Sequence, residues 1–201
     1  MFLELEGDAE HLITSASLDP DRPIDVGRLV AHHLGSRPQR APHMCRESEL
    51  AVVHGQPTIY VRSRIMPTRA KWLACHELAH WWLAKSGQED PCYAEDQANA
   101  LGAMLVAPGR AVSQLVCRFG YDPIGIAEQL RTTQSVALLR LGETRHAPSA
   151  LVARHRILLR GEDYIWPSET VLRRARRQEV DGLQRVAVSD EPGRVGLLAV
   201  E

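Results

Sequence analysis

The stretch Lys71-Trp72-Leu73-Ala74-Cys75-His76-Glu77-Leu78-Ala79-His80-Trp81-Trp82-Leu83-Ala84-Lys85 decides how this chain is to be read. Ala and Leu dominate its interior, Pro67-Thr68 supplies a start and Ser86-Gly87 a stop, so it predicts one continuous helix. On that helix His76 and His80 stand four residues apart and stack on one face. Two imidazoles at this spacing can hold one Zn²⁺. Glu77, about 100° round the axis, can reach a water on the metal.

This is the H-E-x-x-H layout of zinc metallopeptidases, and it needs a third protein ligand with the fourth position left to water. Asp90-Pro91 reads as the N-cap and first residue of a return helix running to about Val106. A helix returning antiparallel to the first has climbed level with His80 by residue 95, which makes Glu95 the third ligand. Asp96 points about 100° away, and Glu89 belongs to the connection. Asn99, one turn after Glu95, is placed to hydrogen-bond a ligand histidine and orient its ring.

Trp72-Leu73-Ala74-Cys75-His76-Glu77-Leu78-Ala79-His80, followed by Glu95-Asp96-Gln97-Ala98-Asn99-Ala100-Leu101-Gly102-Ala103-Met104-Leu105-Val106-Ala107-Pro108, resembles the ImmA/IrrE family of bacterial metallo-endopeptidases. Glu95, Ala98, Asn99, Ala103, Leu105 and Pro108 fit that family's second block, E-x-E-A-N-x-F-A-A-x-L-L-M-P. Gln97 replaces its second Glu, Leu101 its Phe and Ala107 its Met. The resemblance covers about residues 25–145. It implies zinc ligands at His76, His80 and Glu95, a catalytic Glu77, and a protein substrate, typically a repressor or other transcription-regulating protein cut once. It also implies a zincin-like, mainly helical α+β core with a small sheet beside the H-E-x-x-H helix.

The opening residues 1–23 form an acidic extension ending in the turn-rich Asp19-Pro20-Asp21-Arg22-Pro23. Apolar residues at 26, 29, 30 and 34 predict a short helix from Ile24 to Leu34 stopped by Gly35, with a loop over 36–42. Leu50–His54 and Thr58–Arg62 read as strands around a Gly55-Gln56-Pro57 turn. That pair is either a plain structural hairpin or the edge to which an extended substrate adds a strand. After Pro108 a helix carries Val112, Leu115, Val116 and Phe119 up to Gly120. Asp122-Pro123 starts a helix to Leu130, and Thr132 or Thr133 caps another to Leu141.

The pair over 123–141 has helix-turn-helix spacing, and Gln134 and Arg140 are side chains a DNA reader would use. A helical pair packed within the protein is the favoured reading, since no wider basic stripe accompanies them. The metallopeptidase domain is thus expected over 24–145 and a small α+β domain over 147–201. In the latter, Leu151–Leu159 and Tyr164–Trp166 flank a turn at Gly161-Glu162-Asp163. Pro167–Gln178 is a helix rich in arginine, and a last hairpin turns at Asp190–Gly193.

With 201 residues, 44% hydrophobic and 24% charged, the composition is that of an ordinary globular protein. A formal charge of −1 argues against bulk electrostatic attachment to nucleic acid or membrane. The acidic start lacks the apolar core of a secretory signal, and no run approaches the length of a membrane span. Cys45, Cys75, Cys92 and Cys117 contain no C-x-x-C pair, and a reducing cytoplasm is expected. The chemistry expected is hydrolysis of a peptide bond by a metal-activated water, with Glu77 as general base and then acid. Tyr60, Tyr93, His54 and His146 are equal candidates for the oxyanion donor. The alternative function is a zinc-bearing regulatory or DNA-binding module without efficient proteolysis.

Overall fold

The computed structural model describes residues 2–144, 149–152, 157–160, 172, 183–187 and 195–199. They are mainly helical, with two small sheets, the α+β class expected. Two compact units emerge: residues 1–111 with 130–132, and residues 112–129 with 133–201.

The first unit opens with α1 (Phe2–Ser15) and α2 (Val26–Leu34). The acidic opening, for which no element is predicted, forms α1 because Leu5, Ala9, Leu12 and Ile13 line one buried face at helical spacing. In α2 the Asp25 carboxylate accepts from the Arg28 amide, and Gly35 closes the helix at φ 78°. Strands β1 (Gln39–Ala41), β2 (Ser48–Val53) and β3 (Gln56–Arg62) follow, in the order β1-β3-β2. The loop predicted over 36–42 therefore contains a strand, formed because residues 39–41 pair in parallel with Tyr60–Arg62.

The β2–β3 turn also needs correcting. Val53 pairs with Gln56, so the turn is His54-Gly55, at φ 51° and 79°, and not Gly55-Gln56-Pro57. Two left-handed residues in a two-residue loop match the twist of a hairpin. Pro57 is tolerated inside β3 because β1 reaches only Tyr60 and beyond, leaving no ladder on that side for its missing N–H to interrupt.

Helix α3 (Pro67–Ser86) has Pro67 at its first position and Gly87 as a left-handed cap, the limits read from the sequence. It packs on β2, β3 and α2, and most extensively on α4 (Ala94–Val106). That second helix begins later than predicted. The Asp90 carboxylate accepts from the Cys92 amide and its carbonyl from the Tyr93 amide, so residues 90–93 make a turn first. Nine of the thirteen residues of α4 are buried, and its other side meets α1. No single helix among the described residues is long and apolar enough to cross a membrane.

Helix α5 (Gly109–Phe119) ends at Gly120, and α6 (Pro123–Leu130) starts where the Asp122 carboxylate accepts from the amides of Ile124 and Gly125. Thr133 caps α7 (Gln134–Glu143) through its hydroxyl oxygen. In the second unit α7 lies against the sheet β5-β4-β7-β6, built from β4 (Ser149–Val152), β5 (Ile157–Arg160), β6 (Leu183–Ala187) and β7 (Val195–Ala199). The single strand predicted over Leu151–Leu159 is thus two strands paired antiparallel. Strands β6 and β7 pair as the predicted last hairpin does, though its turn at Asp190–Gly193 lies outside the described residues. So do Gly161–Trp166 and, apart from Leu172, the helix predicted over Pro167–Gln178. Arg140, a side chain the disfavoured DNA-reading alternative would use, is only 1% exposed and pairs with the buried Glu143 at 3.0 Å. A guanidinium buried in that way cannot reach a base edge.

Candidate metal centre

The site lies wholly within the first unit, on the facing sides of α3 and α4. The helical repeat of α3 brings the rings of His76 and His80 to a centroid separation of 4.7 Å at nearly right angles. From α4, Glu95 Oε2 lies 3.7 Å from His76 Nε2 and Glu95 Oε1 lies 3.4 Å from His80 Nε2. One ligand atom from each of the three falls within 4.8 Å of the others. In a tetrahedral zinc site with bonds of about 2.0–2.2 Å, neighbouring ligand atoms stand about 3.3–3.6 Å apart. The donor set fits zinc in kind, and the two Glu95–histidine distances lie close to that range.

Electrostatics favour the ligating form of the first histidine. Burial, and then the neighbouring His80, push the His76 imidazole below the usual histidine range, against opposing pulls from Glu77, Glu95 and Asn99. A neutral imidazole keeps a lone pair for a metal. Asn99 is half-buried one turn along α4 from Glu95 and near His76, while His76 Nδ1 is buried with no hydrogen-bond partner among the described residues. The His76 and His80 side chains are 12% and 24% exposed and Glu95 is 77% exposed, so the centre opens to solvent on the Glu95 side.

Two contacts escaped the sequence. Ser48, the first residue of β2, donates its hydroxyl hydrogen to Glu77 Oε1 at 2.7 Å. Glu89, assigned only to the α3–α4 connection, lies 3.5 Å from His80 Nδ1, where a carboxylate holds the ring with Nε2 aimed at Glu95. Nothing local marks either residue, since both act across gaps in sequence that only the fold closes. A relay of contacts then ties β2 to α3. Glu47, beside Ser48, pairs with Arg69 at 2.9 Å; Arg69 covers the Trp72 ring, and Trp72 lies against His76. Of the oxyanion candidates, Tyr60 is half-buried in β3, His54 is exposed in the β2–β3 turn, and Tyr93 is exposed just before α4. His146 lies outside the described residues.

Gly102 sets how closely the two helices approach. A Cβ at this position would stand 3.0 Å from both the Cα and the N of His76, backbone that cannot swing aside. Gly102→Val should therefore cost about 1–3 kcal/mol through overpacking and weaken metal binding by separating Glu95 from the two rings. Chemical denaturation with a parallel zinc titration checks this. Unchanged stability and affinity would show that the helices do not depend on this close approach.

Comparison with known proteins follows from this geometry. Residues 31–141 match the family described as the IrrE N-terminal-like domain, Peptidase_M78. A solved structure, a Mycobacterium tuberculosis transcriptional regulator, superposes with a TM-score of 0.65 at 14% identity, covering 98% of this chain and 87% of that one. At that identity the likeness is one of fold. No curated protein sequence matches the chain.

Proposed function

This chain belongs to the IrrE N-terminal-like family, and on that premise we propose that it is a zinc-dependent endopeptidase that cuts a regulatory protein at one site. Membership places the chain among metallopeptidase-like or regulatory domains. The observation that carries the finer reading is the meeting of His76, His80 and Glu95 around one point, with Glu77 on the same helix. A purely structural metal site has no use for a carboxylate poised beside the metal.

Zinc held by these three side chains would supply Lewis acidity and an acidified water. The protein's own residues do the rest. Glu77 takes a proton and returns it to the leaving amine. The Ser48 hydroxyl fixes one oxygen of the Glu77 carboxylate and leaves the other for that transfer. Asn99 and Glu89 restrain the two ring ligands. Among the described residues strand β2 has a partner on one side only, and an extended substrate segment would bind by pairing along its open edge. Cys45, Cys92 and Cys117 are exposed free thiols, which suits a protein of the reducing cytoplasm.

The test incubates the purified protein with a candidate repressor protein, with and without chelator. One cleavage, abolished by chelation and restored by zinc, is expected. Zinc-dependent binding of the repressor without any cleavage would favour the second reading, a regulator whose metal is not hydrolytic. That reading draws on the fold shared with a protein called a transcriptional regulator. DNA reading by α7 is disfavoured because Ser135–Leu138 and Arg140–Gly142 are all buried.

A further inference from the structure

Behind the zinc-site face of α3 lies a separate cleft of about 530 Å³, lined by residues of α2, β1, β3, the start of α3 and Arg131. Its volume is in the range that holds a small molecule. Four cationic side chains line it, Arg37, Arg40, Lys71 and Arg131, against one carboxylate, Asp25. In a chain with a net charge of −1, that concentration of positive charge is local. The one carboxylate is already engaged, since Asp25 Oδ1 accepts from the Arg28 amide at the start of α2.

The cations differ in how far they are committed. Arg40 spends its guanidinium on the carbonyls of Arg62 and Ile65, at 3.2 Å each. Lys71 sits half-buried near Arg131, and burial together with that like charge pushes its ammonium below the usual lysine range. Two cations held close at the edge of a cavity are stabilised by an anion between them. Val26 and Gly27, the first residues of α2, also line the cleft, and the leading amides of a helix lack intrahelical partners. At Gly27 a Cβ would meet Asp25 Oδ1 at 3.3 Å and the Arg37 side chain at 3.8 Å, so a larger residue would crowd this wall of the cleft. The remaining wall is apolar, including Ile24, Val61, Ala70 and Ala74.

We propose that this cleft is a binding site for a phosphate-bearing small molecule, its phosphate held by Arg37, Lys71, Arg131 and the first amides of α2, and its apolar body against Ile24, Val61 and Ala74. The site is distinct from the metal centre, and it does not depend on whether the protein cleaves peptides. Lys71 and Ala74 lie on α3 within five residues of His76, so occupancy also touches the helix that carries both histidines.

Calorimetric titration of the full-length protein with inorganic phosphate and with adenosine monophosphate, at fixed ionic strength, tests the proposal. Sulfate serves as a control for unselective anion binding. Saturable binding tighter than that of sulfate is expected. Lys71→Gln and Arg37→Gln should each weaken it by about tenfold, a loss typical of one charge-assisted contact, while Arg22→Gln, outside the cleft, changes nothing. Tighter binding of the nucleotide than of phosphate would assign the apolar wall to the ligand body, and equal binding would assign the site to phosphate alone. Circular dichroism and denaturation midpoints verify that the variants are folded. Absence of binding to wild-type protein, or affinity unchanged in both cleft variants, overturns the proposal. The unchanged case would point to phosphate bound at the metal centre instead.

Discussion

Glu77→Gln is expected to bind zinc as the wild type does and to cleave its protein substrate about 10³-fold more slowly. The substitution keeps the size of the side chain and a carbonyl oxygen able to accept from Ser48 Oγ, so the α3–β2 contact survives. What is lost is the capacity to take and return a proton, and general acid–base catalysis contributes typically about 10²–10⁴-fold, here about 4 kcal/mol of barrier. Metal analysis paired with single-turnover cleavage separates the two quantities. Cleavage within tenfold of wild type would remove Glu77 from the reaction, and loss of zinc would make it a structural partner of the metal.

His80→Ala should lose both metal and activity. In the proposed site the ring is one of three protein ligands, and Glu89 and Glu95 lie 3.5 and 3.4 Å from its two nitrogens. Removing a hydrogen-bond partner of a ligand typically costs about 10–100-fold in metal affinity, and removing the ligand itself should exceed that range. Folding should suffer less, because the His80 side chain lies at the surface of the α3–α4 contact, with a quarter of its area exposed, while Leu78, Ala79 and Leu83 behind it are fully buried. Inductively coupled plasma analysis of purified protein, with circular dichroism as the folding control, decides the matter. A variant that still holds one zinc per chain would mean that Glu89 or another group completes the site.

The sequence was most legible where covalent geometry does the specifying. Pro67 and Gly87 bound α3, Gly35 and Gly120 end their helices, and Thr133 caps α7, because each residue type has few backbone states or one obvious hydrogen bond to make. The spacing of His76, His80 and Glu95 carried over for the same reason: a helical repeat and a short connection leave little freedom. Reading failed where local signals compete. Asp90-Pro91 resembles a helix start, but the Asp90 carboxylate is used on a turn first. The polar residues of α1 obscure a four-residue apolar face that only its packing on α4 makes decisive. Arg140 looked available because its type is usually exposed, whereas Glu143 one turn on neutralises it in the interior. Ser48 and Glu89 were out of reach, since their roles exist only after β2 and the α3–α4 connection are folded against α3.

Under the proposed peptidase reading, Ser48 would also supply a means of discrimination. The hydroxyl bonded to Glu77, the proposed general base, belongs to the opening residue of the very strand whose open edge would receive the substrate backbone. A segment that lies along that edge without strain leaves the carboxylate aimed; one that buckles the strand drags the hydroxyl away and misdirects the proton. Recognition and chemistry would then share a single mechanical joint. An ill-fitting protein could dock and still escape being cut, so the proposed peptidase, with its centre open to solvent, would spare everything but its intended target.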